Sequence, residues 1–145
     1  MKKLLVALAG LLLCGASASA QKKPAPKAKA AAPAAALIAQ GKTVYTETCL
    51  SCHQADGGGV DGLNPPLIKT SYVLGDKTRI VKVVLNGLQG VDIDGEEYNN
   101  AMPSYDFLTD QQIAAVLTYV RNSFGNKATS ISAAEVKAIR AANKK

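Results

Sequence analysis

The chain has 145 residues with 17 Lys/Arg against 11 Asp/Glu, a formal charge of +6, 48% hydrophobic residues and no Trp. That length supports one small domain with a thin core, and small domains are marginal on buried area alone. The basic excess raises nucleic acid as a partner, but no recognition motif accompanies the lysines, and that class is set aside.

Residues 1–20 read as a secretory signal peptide. Lys2 and Lys3 form the positive region, residues 4–13 are an apolar run, and Ala18-Ser19-Ala20 is a small-residue cleavage site before Gln21. Cys14 follows Leu13, which is too large for the small position a lipid-attachment site wants. An uncleaved anchor is the alternative, since an apolar stretch of ~17 residues is borderline for spanning a bilayer. Residues 21–36 are Lys, Ala and Pro with a single Gln, a linker too poor in large apolar groups to bury anything.

Charge is segregated along the chain. Residues 21–36 carry four lysines (+4), residues 37–126 carry six Lys/Arg against ten Asp/Glu (−4), and residues 127–145 carry five against one (+4). The overall basicity therefore belongs to the ends, which suit a partner or an anionic surface and equally suit plain solvation.

Within residues 37–126 the pattern is helical. Leu37, Gly41, Val44, Tyr45 and Thr48 fall on one helical stripe that leads directly into Cys49. A glycine on that buried stripe costs about 1 kcal/mol of propensity, which points to a second helix crossing closely at Gly41.

The run Cys49-Leu50-Ser51-Cys52-His53 is the C-x-x-C-H pattern of covalent c-type haem attachment. Two thiols at this spacing add across the two haem vinyl groups, and the adjoining imidazole is delivered to the iron as an axial ligand. Competing readings explain less. A thiol redox pair needs a thioredoxin-like context that the flanks lack. A zinc site needs further Cys or His ligands, and none follows Cys14 outside this motif. A plain disulfide leaves His53 unexplained. His53 is the only histidine, and Met102 the only methionine besides Met1, so Met102 is the candidate for the opposite face of the iron. Its ordinary alternative is a core filler, against which stand its irregular segment and the following Pro103.

Beyond the motif, residues 57–59 and Gly62 predict a turn, and Asn64-Pro65-Pro66-Leu67 an extended segment. Asp76 caps a helix expected over 77–86, although Ile80, Val81, Val83 and Val84 also suit a strand. Residues 91–98 alternate around Asp94-Gly95 as a small hairpin. Thr109 and Gln112 form a capping box with Leu108 placed to staple onto Ile113, followed by a face of Val116, Leu117, Val120 and Phe124 and a stop at Gly125. A last short helix over 133–142 carries a second capping box, Ser132 with Glu135, and is too short to persist unless it docks.

These landmarks together resemble the class I c-type cytochromes. Gly41-x-x-Val44-Tyr45-x-x-x-Cys49-x-x-Cys52-His53, then Asn64-Pro65-Pro66-Leu67, Ala101-Met102-Pro103 and Val116-Leu117-Thr118-Tyr119-Val120-Arg121 carry the likeness over residues 37–126. More narrowly, residues 109–126 are similar to small monohaem cytochrome domains of Gram-negative bacteria. The resemblance implies an all-α cytochrome c fold in which the first and last helices of residues 37–126 cross, Gly41 meeting Tyr119. It implies one covalent haem c bound by Cys49, Cys52 and His53, with His53 and Met102 as iron ligands and the Pro65 carbonyl bonded to His53. With no Trp available, Tyr72 and Arg79 are the candidates for the haem propionates.

The expected function is a periplasmic one-electron carrier, not an enzyme, that exchanges electrons with redox-protein donors and acceptors such as a membrane oxidase or reductase. The rival readings are a haem peroxidase or gas sensor, and a permanently bound subunit of an oxidoreductase. Membrane contact would run through the basic ends or an uncleaved anchor. The apoprotein is expected to be largely unfolded, since the macrocycle supplies the missing apolar centre.

Overall fold

The computed structural model describes residues 34–144. The expected signal peptide and residues 21–33 of the linker lie outside the described residues. The elements in order are α1 (Ala34–Thr48), α2 (Leu50–His53), α3 (Ser71–Leu74), α4 (Lys77–Asn86), β1 (Asp92–Ile93), β2 (Glu96–Glu97), α5 (Asp110–Arg121) and α6 (Ala133–Ala142). The protein is thus a mostly helical fold with one two-stranded hairpin among the described residues. α1 is described from Ala34, inside the stretch expected as linker, and Ala34 to Ala36 are good helix formers continuous with the stripe that follows.

The principal contact is α1 against α5. At Gly41 an added Cβ would overlap the Ala115 carbonyl and come within 2.6 Å of Tyr119 Cβ, so glycine is what lets the two backbones meet. Val44 and Tyr45 from α1 and Ile113, Val116, Leu117 and Val120 from α5 then share one buried core. α5 starts as its sequence dictates, with the Thr109 side chain accepting from Gln112 N and Gln112 returning the bond. It ends at Arg121, short of Phe124, whose φ of 57° turns the ring back toward α1. There the Tyr45, Tyr119 and Phe124 rings pack with centroids 5.4 to 5.6 Å apart.

α4 is a helix, with Asp76 accepting from Arg79 N at its start, and Ile80, Val81, Val84 and Leu85 buried. Val83, turned away from Val81, is half-buried and lines the cavity described below. The hairpin pairs Asp92 with Glu97 and Ile93 with Glu96, and its turn residues Asp94 and Gly95 both have positive φ, as a two-residue primed turn requires. α3 has no counterpart in the sequence reading, being one turn capped by Thr70.

The C-terminal helix docks. Ile131 and Val136 are fully buried in the same core as α1, α4 and α5. Thr118 Oγ1 both donates to Ile131 O at 3.2 Å and accepts from Ile131 N at 3.0 Å. Arg121 is buried, and its guanidinium donates to the carbonyls of Thr129, Val73 and Gly75. Residues 127–144 therefore complete the core begun by the preceding residues.

Two predictions follow from this packing. Gly41→Val should destabilise the protein by about 1–3 kcal/mol or more by overpacking against Ala115, read as a lowered denaturant midpoint. The second concerns Glu135, held down to about 2 from the ordinary 4.5, first by Lys77 Nζ at 2.8 Å and then by the Ser132 amide and hydroxyl. A lowered folded-state value contributes stability above the ordinary value that is lost as pH falls toward the folded one. Lys77→Met should cost at most ~1 kcal/mol at neutral pH, because the pair is partly exposed. In urea titrations across pH its difference from wild type should close between about pH 4.5 and about pH 2.

Candidate haem site

α1 runs to Thr48, and one turn later α2 carries Cys52 and His53. The chain keeps helical continuity through Cys49 N to Tyr45 O at 2.9 Å and His53 N to Cys49 O at 3.0 Å. His53 is buried, Cys49 partly buried and Cys52 exposed. The His53 Nδ1 lies 2.9 Å from Pro65 O. A carbonyl only accepts, so Nδ1 carries the proton and Nε2 retains its lone pair. Burial lowers the pKa of the imidazole, against a smaller upward pull from the Pro65 carbonyl. The neutral ring is the ligand form.

The loop that supplies Pro65 is shaped by glycine. Gly59 has φ 69°, and a Cβ there would overlap Asn64 O and come within 2.7 Å of Pro65 O. Val60 and Asn64 close the turn with backbone bonds of 2.9 and 2.8 Å.

Met102 sits on the other wall in a segment anchored at several points. Its backbone pairs with Leu88 in both directions, Met102 N to Leu88 O at 2.9 Å and Leu88 N to Met102 O at 3.0 Å. Gly87 makes room, since a Cβ there would overlap Met102 O. Ser104 Oγ donates to Leu85 O and Tyr105 N to Val84 O, at 2.7 and 2.8 Å. The Tyr105 hydroxyl donates to Thr48 O at 2.9 Å, tying this segment to the residue before Cys49. Asn99 and Asn100 lace the preceding turn to Gly62, Leu63 and Asn64.

Between these walls lies a cavity lined by Cys49, His53, Pro65, Met102 and Tyr105 with apolar side chains from α3, α4, β1 and α5. An adjoining mouth shares those five residues and adds Thr48, Cys52, Asn64, Asn100, Ala101 and Pro103. None of the side chains lining the mouth is an acid, a lysine or an arginine. The four residues singled out in the sequence, Cys49, Cys52, His53 and Met102, thus line two adjoining, mainly apolar pockets. The donor set suits a flat apolar macrocycle: two thiols stand at the edge, and one ready imidazole nitrogen and one thioether belong to the lining. Tyr72 also lines the cavity, whereas Arg79 lies outside it, its guanidinium 4.3 Å from the Tyr72 ring centroid and bonded to Ser71 O. Tyr105 and Leu88 escaped the sequence reading. The one available signal was Tyr105 itself, an amphipathic ring just past Met102 whose hydroxyl needs a partner when buried.

The family model for Cytochrome c matches residues 38–124. The chain belongs to the cytochrome c family. It is 35% identical over 113 residues to cytochrome c-552 of Thermus thermophilus, covering 71% of this chain and 86% of that protein. It is 36% identical over 113 residues to the fructose dehydrogenase cytochrome subunit of Gluconobacter japonicus, covering 72% of this chain and 22% of that subunit. It is 39% identical over 101 residues to the cbb3-type cytochrome c oxidase subunit CcoP of an Azospirillum species, covering 64% of this chain and 31% of that subunit. The cytochrome carries one covalent haem c, in keeping with its single C-x-x-C-H motif, and is an electron-transfer protein, not itself a catalyst. Among the described residues no helix is long and apolar enough to cross a membrane.

Proposed function

We propose that Cys49 and Cys52 form the two thioether bonds, that His53 and Met102 are the axial ligands, and that electrons pass through the mouth beside Cys52. The observation that carries this reading is the placement of His53 and Met102 in the lining of one apolar cavity, with Nδ1 of His53 already engaged by Pro65. Bound haem supplies a single Fe(II)/Fe(III) couple; the remaining work falls to the chain. Pro65 fixes the His53 ring and raises its basicity by accepting a hydrogen bond from Nδ1–H. The Leu88 pairing holds the Met102 backbone, so its thioether is presented without reorganisation. Side chains such as Val84, Val116 and Leu117 exclude water. With His53 and Met102 holding the iron, no ligand position would be left open, which would favour electron transfer over bond-making there.

The proposed location is the periplasm, supported by the signal pattern of residues 1–20 and by the need of covalent attachment for export before assembly. The proposed partners are redox proteins that accept an uncharged contact at the mouth, membrane dehydrogenases and oxidases included. Relatives named as cytochrome subunits of a dehydrogenase and an oxidase support that class. The segregated basic ends supply longer-range steering toward an anionic surface.

Two outcomes test the assignment. Cys52→Ala should abolish accumulation of stable holoprotein, read as haem that survives denaturing electrophoresis; normal covalent haem would remove Cys52 from the motif. Met102→Ala should lower the reduction potential, abolish the far-red sulfur-to-iron band of the ferric protein and admit carbon monoxide to the ferrous protein. A wild type that already binds carbon monoxide at neutral pH and lacks that band would favour a peroxidase or sensor instead.

A further inference from the structure

We infer that the last turn of α6 is a two-point clamp on the Met102 segment, with Arg140 and Asn143 as positioning residues. This rests on the proposed ligation by Met102. α6 lies beyond residues 38–124, the span matched by the family model.

The first point is Arg140. Its Nε donates to Asp110 Oδ1 at 2.7 Å, Nη1 to Asp106 O at 2.9 Å and Nη2 to Leu108 O at 2.6 Å. One planar guanidinium thereby fixes three alternate residues between Met102 and the body of α5. Leu108 lines the cavity and closes a turn onto Tyr105 O at 3.1 Å, so this hold passes directly to the ring that bonds Thr48. The second point is Asn143. Its amide exchanges two bonds with the amide of Asn86, at 2.8 and 3.2 Å. Asn86 is the last residue of α4, and Gly87 and Leu88 follow immediately. Leu88 is the residue whose backbone pairs with Met102. Residues one turn apart on α6 thus hold both flanks of the methionine, the 106–110 segment after it and the strand-like partner beside it.

Bonds to an ionised group contribute more than neutral ones, and a lysine cannot reproduce a three-acceptor fork. The clamp should therefore suppress local opening of the Met102 segment rather than add to global stability alone. α6 has a separate attachment at its other end, Lys77 to Glu135 at 2.8 Å, which touches α4 far in sequence from the Leu88 pairing and serves as the control.

The test compares holoprotein wild type, Arg140→Ala with Asn143→Ala, and Lys77→Met. Amide hydrogen exchange at Met102 and Leu88 is measured against the buried core amide of Val116, with the sulfur-to-iron band of the ferric protein recorded alongside. The double variant should speed exchange at Met102 and Leu88 by about tenfold relative to any change at Val116. Lys77→Met should leave those ratios unchanged. If the double variant moves Met102, Leu88 and Val116 by one common factor, α6 is only a global brace and the clamp is refuted. If exchange responds as expected but the wild type lacks the sulfur-to-iron band, the clamp stands and the ligand assignment to Met102 fails.

Discussion

The close approach of α1 and α5 at Gly41 is the constraint on which the rest depends. A helix can bring its backbone against a neighbouring carbonyl only where no side chain intervenes, and the Ala115 carbonyl occupies the space a Cβ at Gly41 would need. That contact sets how α1 lies against α5, and hence where the chain delivers Cys49. It also stacks Tyr45 against Tyr119 and Phe124 on one side, leaving Val116, Leu117 and Val120 to face the cavity on the other. One glycine therefore sets both the entry direction of the C-x-x-C-H turn and the floor of the adjoining pocket.

Much of the local architecture was legible because it is encoded within a few residues. The capping boxes at Thr109 and Ser132, the Asp76 cap and the Asp94-Gly95 turn each satisfy backbone donors through a neighbour three or fewer positions away. The C-x-x-C-H run is local in the same sense. The pairing of Leu88 with Met102, the reach of Tyr105 to Thr48 and the three bonds of Arg140 join residues from 14 to 57 positions apart. No periodicity announces such partners. The docking of α6 was similarly open: its short length called for a partner surface, but only the fold supplies the hydroxyl of Thr118 that receives Ile131.

Three polar groups at or beside the cavity share a design. His53 donates a hydrogen bond to Pro65 O, Tyr105 to Thr48 O and Ser104 to Leu85 O, all main-chain carbonyls. No buried side-chain nitrogen or oxygen among the described residues lacks a partner. Main-chain acceptors do not titrate, so the surroundings of the cavity keep one hydrogen-bond pattern across the pH range in which a carboxylate network would rearrange.

The asymmetry between a partly buried Cys49 and an exposed Cys52 has a kinetic consequence. Tunnelling falls off steeply with distance, so on the proposed reading a cofactor enclosed on its other sides exchanges charge at useful rates through one doorway. Donor and acceptor would then occupy the same small uncharged area and exclude one another. Throughput in such a carrier is limited by how quickly each partner leaves, which selects for brief encounters, and affinity gained at the doorway is turnover lost.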